Sequence, residues 1–162
     1  MEGFKVFNKD LTNSYGVPFL EKHDYFLNID TKKLKYGNDG YGYHFTKRLE
    51  DGLRYFDGLH QEIRIAKVRS LGDIIESYDD YYGYYDLYVT NHIYIDHILT
   101  EEEIIEYISS KHIMQAERFI KGYKLSEKEI DILLEIFTND SFKKAIDYYQ
   151  RGDKEAYIKC KR

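Results

Sequence analysis

Apolar and polar side chains interleave at the start of the chain. Phe4, Val6 and Asn8 alternate with Lys5, Phe7 and Lys9, so residues 3–8 read as a first strand. Turn chemistry follows at Asn8-Lys9-Asp10 and Asn13-Ser14-Tyr15-Gly16, and Val17 to Leu20, with Pro18 inside it, reads as an edge segment. Tyr25 to Ile29 is a second strand candidate. The stretch 36–56, YGNDGYGYHFTKRLEDGLRYF, is the one around which the chain is organised. Gly37, Gly40 and Gly42 supply backbone freedom, and Tyr41, Tyr43 and Phe45 alternate with Gly42 and His44 as in a strand. Thr46 can cap a following helix, in which Leu49, Leu53 and Phe56 form an apolar stripe that Gly58 would end.

Ile63 to Arg69 predicts another strand. Its apolar residues fall on both faces, so either both faces are covered or a bulge shifts the register. Residues 71–75 bend into a short extended piece. Leu87 to Ile98 alternates throughout: Leu87, Val89, Asn91, Ile93 and Ile95 on one face, Tyr88, Thr90, His92, Tyr94 and Asp96 on the other. It is one long strand or two that meet near Asn91.

At Thr100 the period changes from two to about 3.6. Thr100 with Glu103, and Ser126 with Glu129, have the spacing of capping boxes. Ile104, Ile105, Ile108, Met114, Ala116, Phe119 and Ile120 can share a stripe, with a break near Ser109-Ser110 allowed. Ile130, Leu133, Leu134 and Phe137 mark the next helix, and a third runs from Asn139 to about Gln150. The pattern predicts an α+β protein: a mixed domain over 1–99, and a helical extension over 100–162 packed on it. The domain has a mostly antiparallel sheet of five or six strands and one packed helix.

Composition narrows the functional classes. The 43% hydrophobic content, with 18 Tyr and 9 Phe, is enough for a packed core. A net charge of −5 disfavours general binding to nucleic acid, which calls for a basic face. The acidic excess lies in residues 1–100, net −4 against −1 for the remainder. The single Cys160, the absence of a long apolar N-terminal core and the absence of any run of about 18 apolar residues predict a soluble intracellular protein without a membrane span. Segment 73–86, DIIESYDDYYGYYD, interleaves acidic residues with tyrosines. Tyr81, Tyr82, Tyr84 and Tyr85 are candidate partner-binding residues, because tyrosine combines a large rigid contact area with a polar tip.

FKVFNKDL at 4–11, GYHFTKRLEDGLRYF at 42–56, IAKVRSLGDII at 65–75 and YVTNHIYI at 88–95 together resemble a domain-of-unknown-function family of phage and bacterial proteins. The arrangement is also similar to the N-terminal domain of giant-virus, mimivirus-like ankyrin-repeat proteins, where Leu27-Asn28-Ile29-Asp30 and Tyr43-His44-Phe45-Thr46 would correspond. This chain lacks the ankyrin repeats. The resemblance spans residues 3–105 and implies a viral or phage origin, in host cytoplasm or virion, but carries no activity.

His44, between aromatics beside a glycine loop, is the candidate catalytic residue, set against a purely fold-holding role. The same stretch loosely resembles the strand and helix of ADP-ribosyltransferase folds. That resemblance implies an NAD-using enzyme with Tyr43, His44 and Tyr55 as ligand-binding residues, although the expected later glutamate is not evident. No cofactor is expected otherwise. His92 and Asp96 share a strand face and His97 does not, so no metal site is expected. The C-terminal helices could support a homo-oligomer, and the leading expectation is a non-catalytic module with a protein partner.

Overall fold

The computed structural model describes residues 1–35, 41–53, 62–77 and 86–153. The chain forms two compact units, Met1–Gly52 with Ile63–Leu99, and Leu53–Glu62 with Thr100–Arg162.

The first unit is one antiparallel sheet of seven strands, rather than the five or six expected. In chain order these are β1 (Glu2–Asn8), β2 (His23–Phe26), β3 (Tyr43–Thr46), β4 (Ile63–Ser70), β5 (Ile74–Ser77), β6 (Leu87–Thr90) and β7 (His92–Ile98). A four-residue helix, α1 (Leu49–Gly52), follows β3. The spatial order is β2-β7-β4-β1-β3-β6-β5. The count reaches seven because, beside the expected separation of 63–69 from 71–75, the 87–98 segment takes the two-strand alternative. Residues 63–77 divide into β4 and β5 around Gly72, and 87–98 divide into β6 and β7 at Asn91.

That order forces curvature. Four strand spacings separate β6 from β7, about 19 Å in a flat sheet. A single residue, Asn91, connects them, and one residue spans only about 7 Å. The sheet therefore curls until its two ends meet along the bent ribbon of residues 63–77 and 87–98. Asn91 stabilises the bend: its Oδ1 accepts the Asp73 N–H at 2.9 Å, and its carbonyl accepts the Leu27 N–H at 2.8 Å. A Cβ at Gly72 would collide with Asn91 Oδ1 and approach the His92 Cβ to 2.9 Å.

The concave face carries the core: Phe7, Phe19, Phe45, Ala66, Val68, Tyr88, Ile93 and Ile95. Tyr88 and Thr90 thus share a face with Ile93 and Ile95, since the parity of the chain switches at Asn91. The continuous alternation expected from Leu87 to Ile98 does not survive the bend. A bulge in the β4–β7 ladder lies at Lys67/Val68 and leaves Asp96 as the extra residue. Ile65 is buried on the opposite face from Ala66 and Val68, so β4 is covered on both sides as well as bulged. Residues 23–26 pair with β7, placing β2 earlier than the expected 25–29. Thr46 is the last residue of β3, and its hydroxyl donates to the Arg48 carbonyl at 2.8 Å. It does not act as the expected helix cap. Leu49 is fully buried, and α1 packs on β1 and β3.

The second unit contains four helices, α2 (Glu101–Ser109), α3 (Ile113–Gly122), α4 (Glu127–Ile136) and α5 (Asp140–Tyr149). Both expected capping boxes form, Thr100 with Glu103 and Ser126 with Glu129. A third begins α3, where His112 Nδ1 accepts the Met114 N–H and Gln115 returns a bond to His112. This cap restarts the helix after the break at Ser110, rotating the stripe so that Met114 is 66% exposed and not buried. Ile108, Phe119, Ile120, Leu133, Phe142 and Ile146 are fully buried. Gln150 ties the far end together: its Nε2 donates to the Ile120 and Tyr123 carbonyls, and its Oε1 accepts the Leu125 N–H. No helix among the described residues is long and apolar enough to cross a membrane.

Candidate functional site

The strand β3 places its residues by simple alternation. Tyr43 and Phe45 face the concave side, and His44 and Thr46 face the other. The Tyr43 ring lies 6.2 Å from Phe19 and 6.3 Å from Tyr25. Burial, and to a lesser extent Tyr25, raises the Tyr43 phenol above its ordinary pKa. The structure does not bring the side chains of Tyr43 and His44 together. Tyr55, and Tyr81, Tyr82, Tyr84 and Tyr85, lie outside the described residues, as do Gly37, Gly40, Phe56, Gly58 and Cys160.

His44 sits in a setting that resists protonation. Burial, with a smaller contribution from the nearby Lys5 ammonium, pushes its imidazole down to about 4, against a weak opposing effect of a backbone hydrogen bond with Lys35. The ring is therefore neutral at neutral pH. This has a sign that can be tested. The unfolded chain takes up a proton near pH 6.5, the folded chain only near 4, so stability present above 6.5 is lost as pH falls toward 4. The loss is at most about 3 kcal/mol. Urea titrations of the wild type and of His44→Gln across pH 4–7 should show a shallower slope in the variant; equal slopes would remove the assignment.

Lys5 was not singled out by the sequence, although its alternation with Phe7 on one face was a usable signal. β1 and β3 meet at one residue pair, Phe4 with Thr46, and then the ladder opens. Lys5 Nζ crosses the opening and donates to the His44 carbonyl at 2.8 Å. The ammonium lies 5.5 Å from the centre of the Phe7 ring and 5.7 Å from that of Phe19. Burial lowers its pKa to about 8.

A second polar centre joins α1 to the strand that follows the tyrosine-rich segment. The Asp51 side chain is fully buried and accepts from Arg48 Nε at 2.7 Å and from the Asp86 N–H at 3.2 Å. Arg48 also reaches Asp86 Oδ2 at 3.4 Å, and the Lys47 N–H donates to the Asp86 carbonyl at 3.1 Å. The i, i+3 spacing of Arg48 and Asp51 was legible; its link to Asp86 was not. The β5–β6 ladder, which runs to Ser77 with Leu87, holds the opposite end of the same segment.

His92 and Asp24 pair at 2.8 Å, His97 and Asp96 at 3.2 Å, as two separate contacts. Among the described residues no group of three His, Cys, Asp or Glu side chains could hold a metal ion. Comparison of the chain with protein-family models, curated proteins and solved structures finds no match.

Proposed function

We propose that the protein is a non-catalytic interaction module that offers the tyrosine-rich acidic segment, with Tyr81, Tyr82, Tyr84 and Tyr85, to a protein partner. The observation that carries this reading is the clamp at the feet of that segment. A buried carboxylate, Asp51, holds Asp86 at one end, and the β5–β6 ladder holds Ser77 at the other. Recognition segments are commonly presented in this way, from a rigid scaffold. The neutral His44, and its placement on the opposite strand face from Tyr43, give no support to a shared nicotinamide pocket. We infer a viral origin from the resemblance of residues 3–105 to phage and giant-virus domains alone.

Two measurements test the reading. A variant with all four tyrosines changed to serine should keep the wild-type melting temperature and lose the partner that co-purifies with the wild type. Retention of that partner would contradict the assignment. NAD at millimolar concentration should leave the melting temperature unchanged; stabilisation abolished by His44→Ala would favour the transferase reading instead. Self-association through the helices, where Met114 and Ile136 are exposed, is read by light scattering, and a strict monomer at high concentration excludes it.

A further inference from the structure

We propose that the outer edge of β2 pairs with the same strand of a second copy of this chain, across a two-fold axis. β2 ends the strand order, so it has β7 on one side and no strand on the other. The Leu27 N–H donates to the Asn91 carbonyl at 2.8 Å, which continues the register of Tyr25 with Ile93 and His23 with Ile95. Bonded pairs in an antiparallel ladder recur at every second residue, so the backbone groups of His23, Tyr25 and Leu27 point to β7. Those of Asp24 and Phe26 point away from it. The Leu71 N–H gives the same parity, since it donates to the His92 carbonyl at 2.9 Å from the far side of β7. Among the described residues, the N–H and carbonyl groups of Asp24 and Phe26 have no backbone partner. Nor does the strand carry a proline, a lysine or a bulge, the usual devices that block an edge. Its one carboxylate, Asp24, is paired with His92 at 2.8 Å, and Phe26 is 61% exposed.

A free edge selects an extended backbone as its occupant, and this edge fits its own copy. It is short at both ends. Lys22 turns at φ +52° before it, and the Ile29 N–H closes a turn on the Leu27 carbonyl after it. Antiparallel pairing with Tyr25 opposite Tyr25 of the second copy sets Asp24 against Phe26 and Phe26 against Asp24. Each outward N–H then meets an outward carbonyl, and none is left over. A shift of two residues either way sets Phe26 against Lys22 or Asp24 against Asn28, beyond the strand. One of those shifts also opposes the two Asp24 carboxylates, which is unfavourable. In the matched register each Phe26 ring lies beside the Asp24 of the other copy. The two Tyr25 rings meet across a pair without backbone bonds, where side chains approach most closely. Such a contact uses the same patch on both copies and closes as a dimer. It involves neither the tyrosine-rich segment nor the helices, so it holds or fails independently of the interaction-module reading.

Sedimentation velocity of the full chain from micromolar to millimolar concentration should show a reversible monomer–dimer equilibrium. Amide exchange, read residue by residue by NMR in the wild type, locates the contact. Where about nine chains in ten are paired, exchange at Asp24 and Phe26 should slow about tenfold; His23 and Tyr25, bonded to β7, stay protected throughout. Phe26→Pro removes an outward N–H and no β2–β7 bond, so it should abolish the dimer. Met114→Glu, at an exposed position of α3, should leave the dimer intact. A strict monomer over the whole range would overturn the proposal and leave the edge to an extended segment of another protein. A dimer whose Asp24 and Phe26 amides exchange at the monomer rate, or one that Met114→Glu dissolves, would overturn it equally.

Discussion

Gly42→Ala is expected to destabilise the protein by about 3–5 kcal/mol, among the largest effects of any single substitution. Two independent costs act at this position. The backbone φ is +128°, a region that side chains with a Cβ rarely enter. The added Cβ would also collide with Val89 Cγ1, approach Leu34 Cδ2 to 3.0 Å and the Thr90 carbonyl oxygen to 3.2 Å. Val89 is fully buried and β-branched, which restricts how far it can move aside. The two costs separate experimentally. Measured against Val89→Ala alone, Val89→Ala in the Gly42→Ala background should recover the part due to the Val89 collision and leave the backbone part together with the Leu34 and Thr90 contacts. A urea midpoint for Gly42→Ala within error of the wild type would show that Leu34 and Val89 do not enclose this glycine.

Asp51→Ala should cost about 2–4 kcal/mol. The Asp51 side chain is fully buried, and its removal leaves Arg48 without the partner at 2.7 Å and the Asp86 N–H without its acceptor. Arg48 keeps part of its solvent contact, which holds the loss below that for a wholly enclosed pair. Asp51→Asn retains an acceptor oxygen for Asp86 and should lose less. Denaturant unfolding of both variants reads the difference, and equal losses would assign the effect to charge alone. If the tyrosine-rich segment is the recognition element, Asp51→Ala should also weaken partner binding under conditions where the variant stays folded. Asp51→Asn should weaken it less.

Much of the local structure follows from short-range rules. The switch from a period of two to one of 3.6 at Thr100 marks where the helices begin, because capping residues act within one turn. The break after Ser109 was an open alternative, and His112 resolved it by an unforeseen third box. Thr46 shows the limit of such rules. A threonine before an amphipathic run has the form of a cap, yet it finishes a strand, since β6 pairs with it through Leu87.

What the sequence alone determined, then, is the class of the protein, the positions of most strands and helices, and the identity of two helix caps. All are set by interactions between residues a few positions apart. Tertiary structure decided the rest. Strand order is chosen by pairings between distant residues, and that order bends the ribbon at Asn91, reverses the faces on either side of it and turns Lys5 toward the core. Periodicity can state that two residues share a face. It cannot state which face becomes the inside of a curled sheet, because that depends on which strands meet.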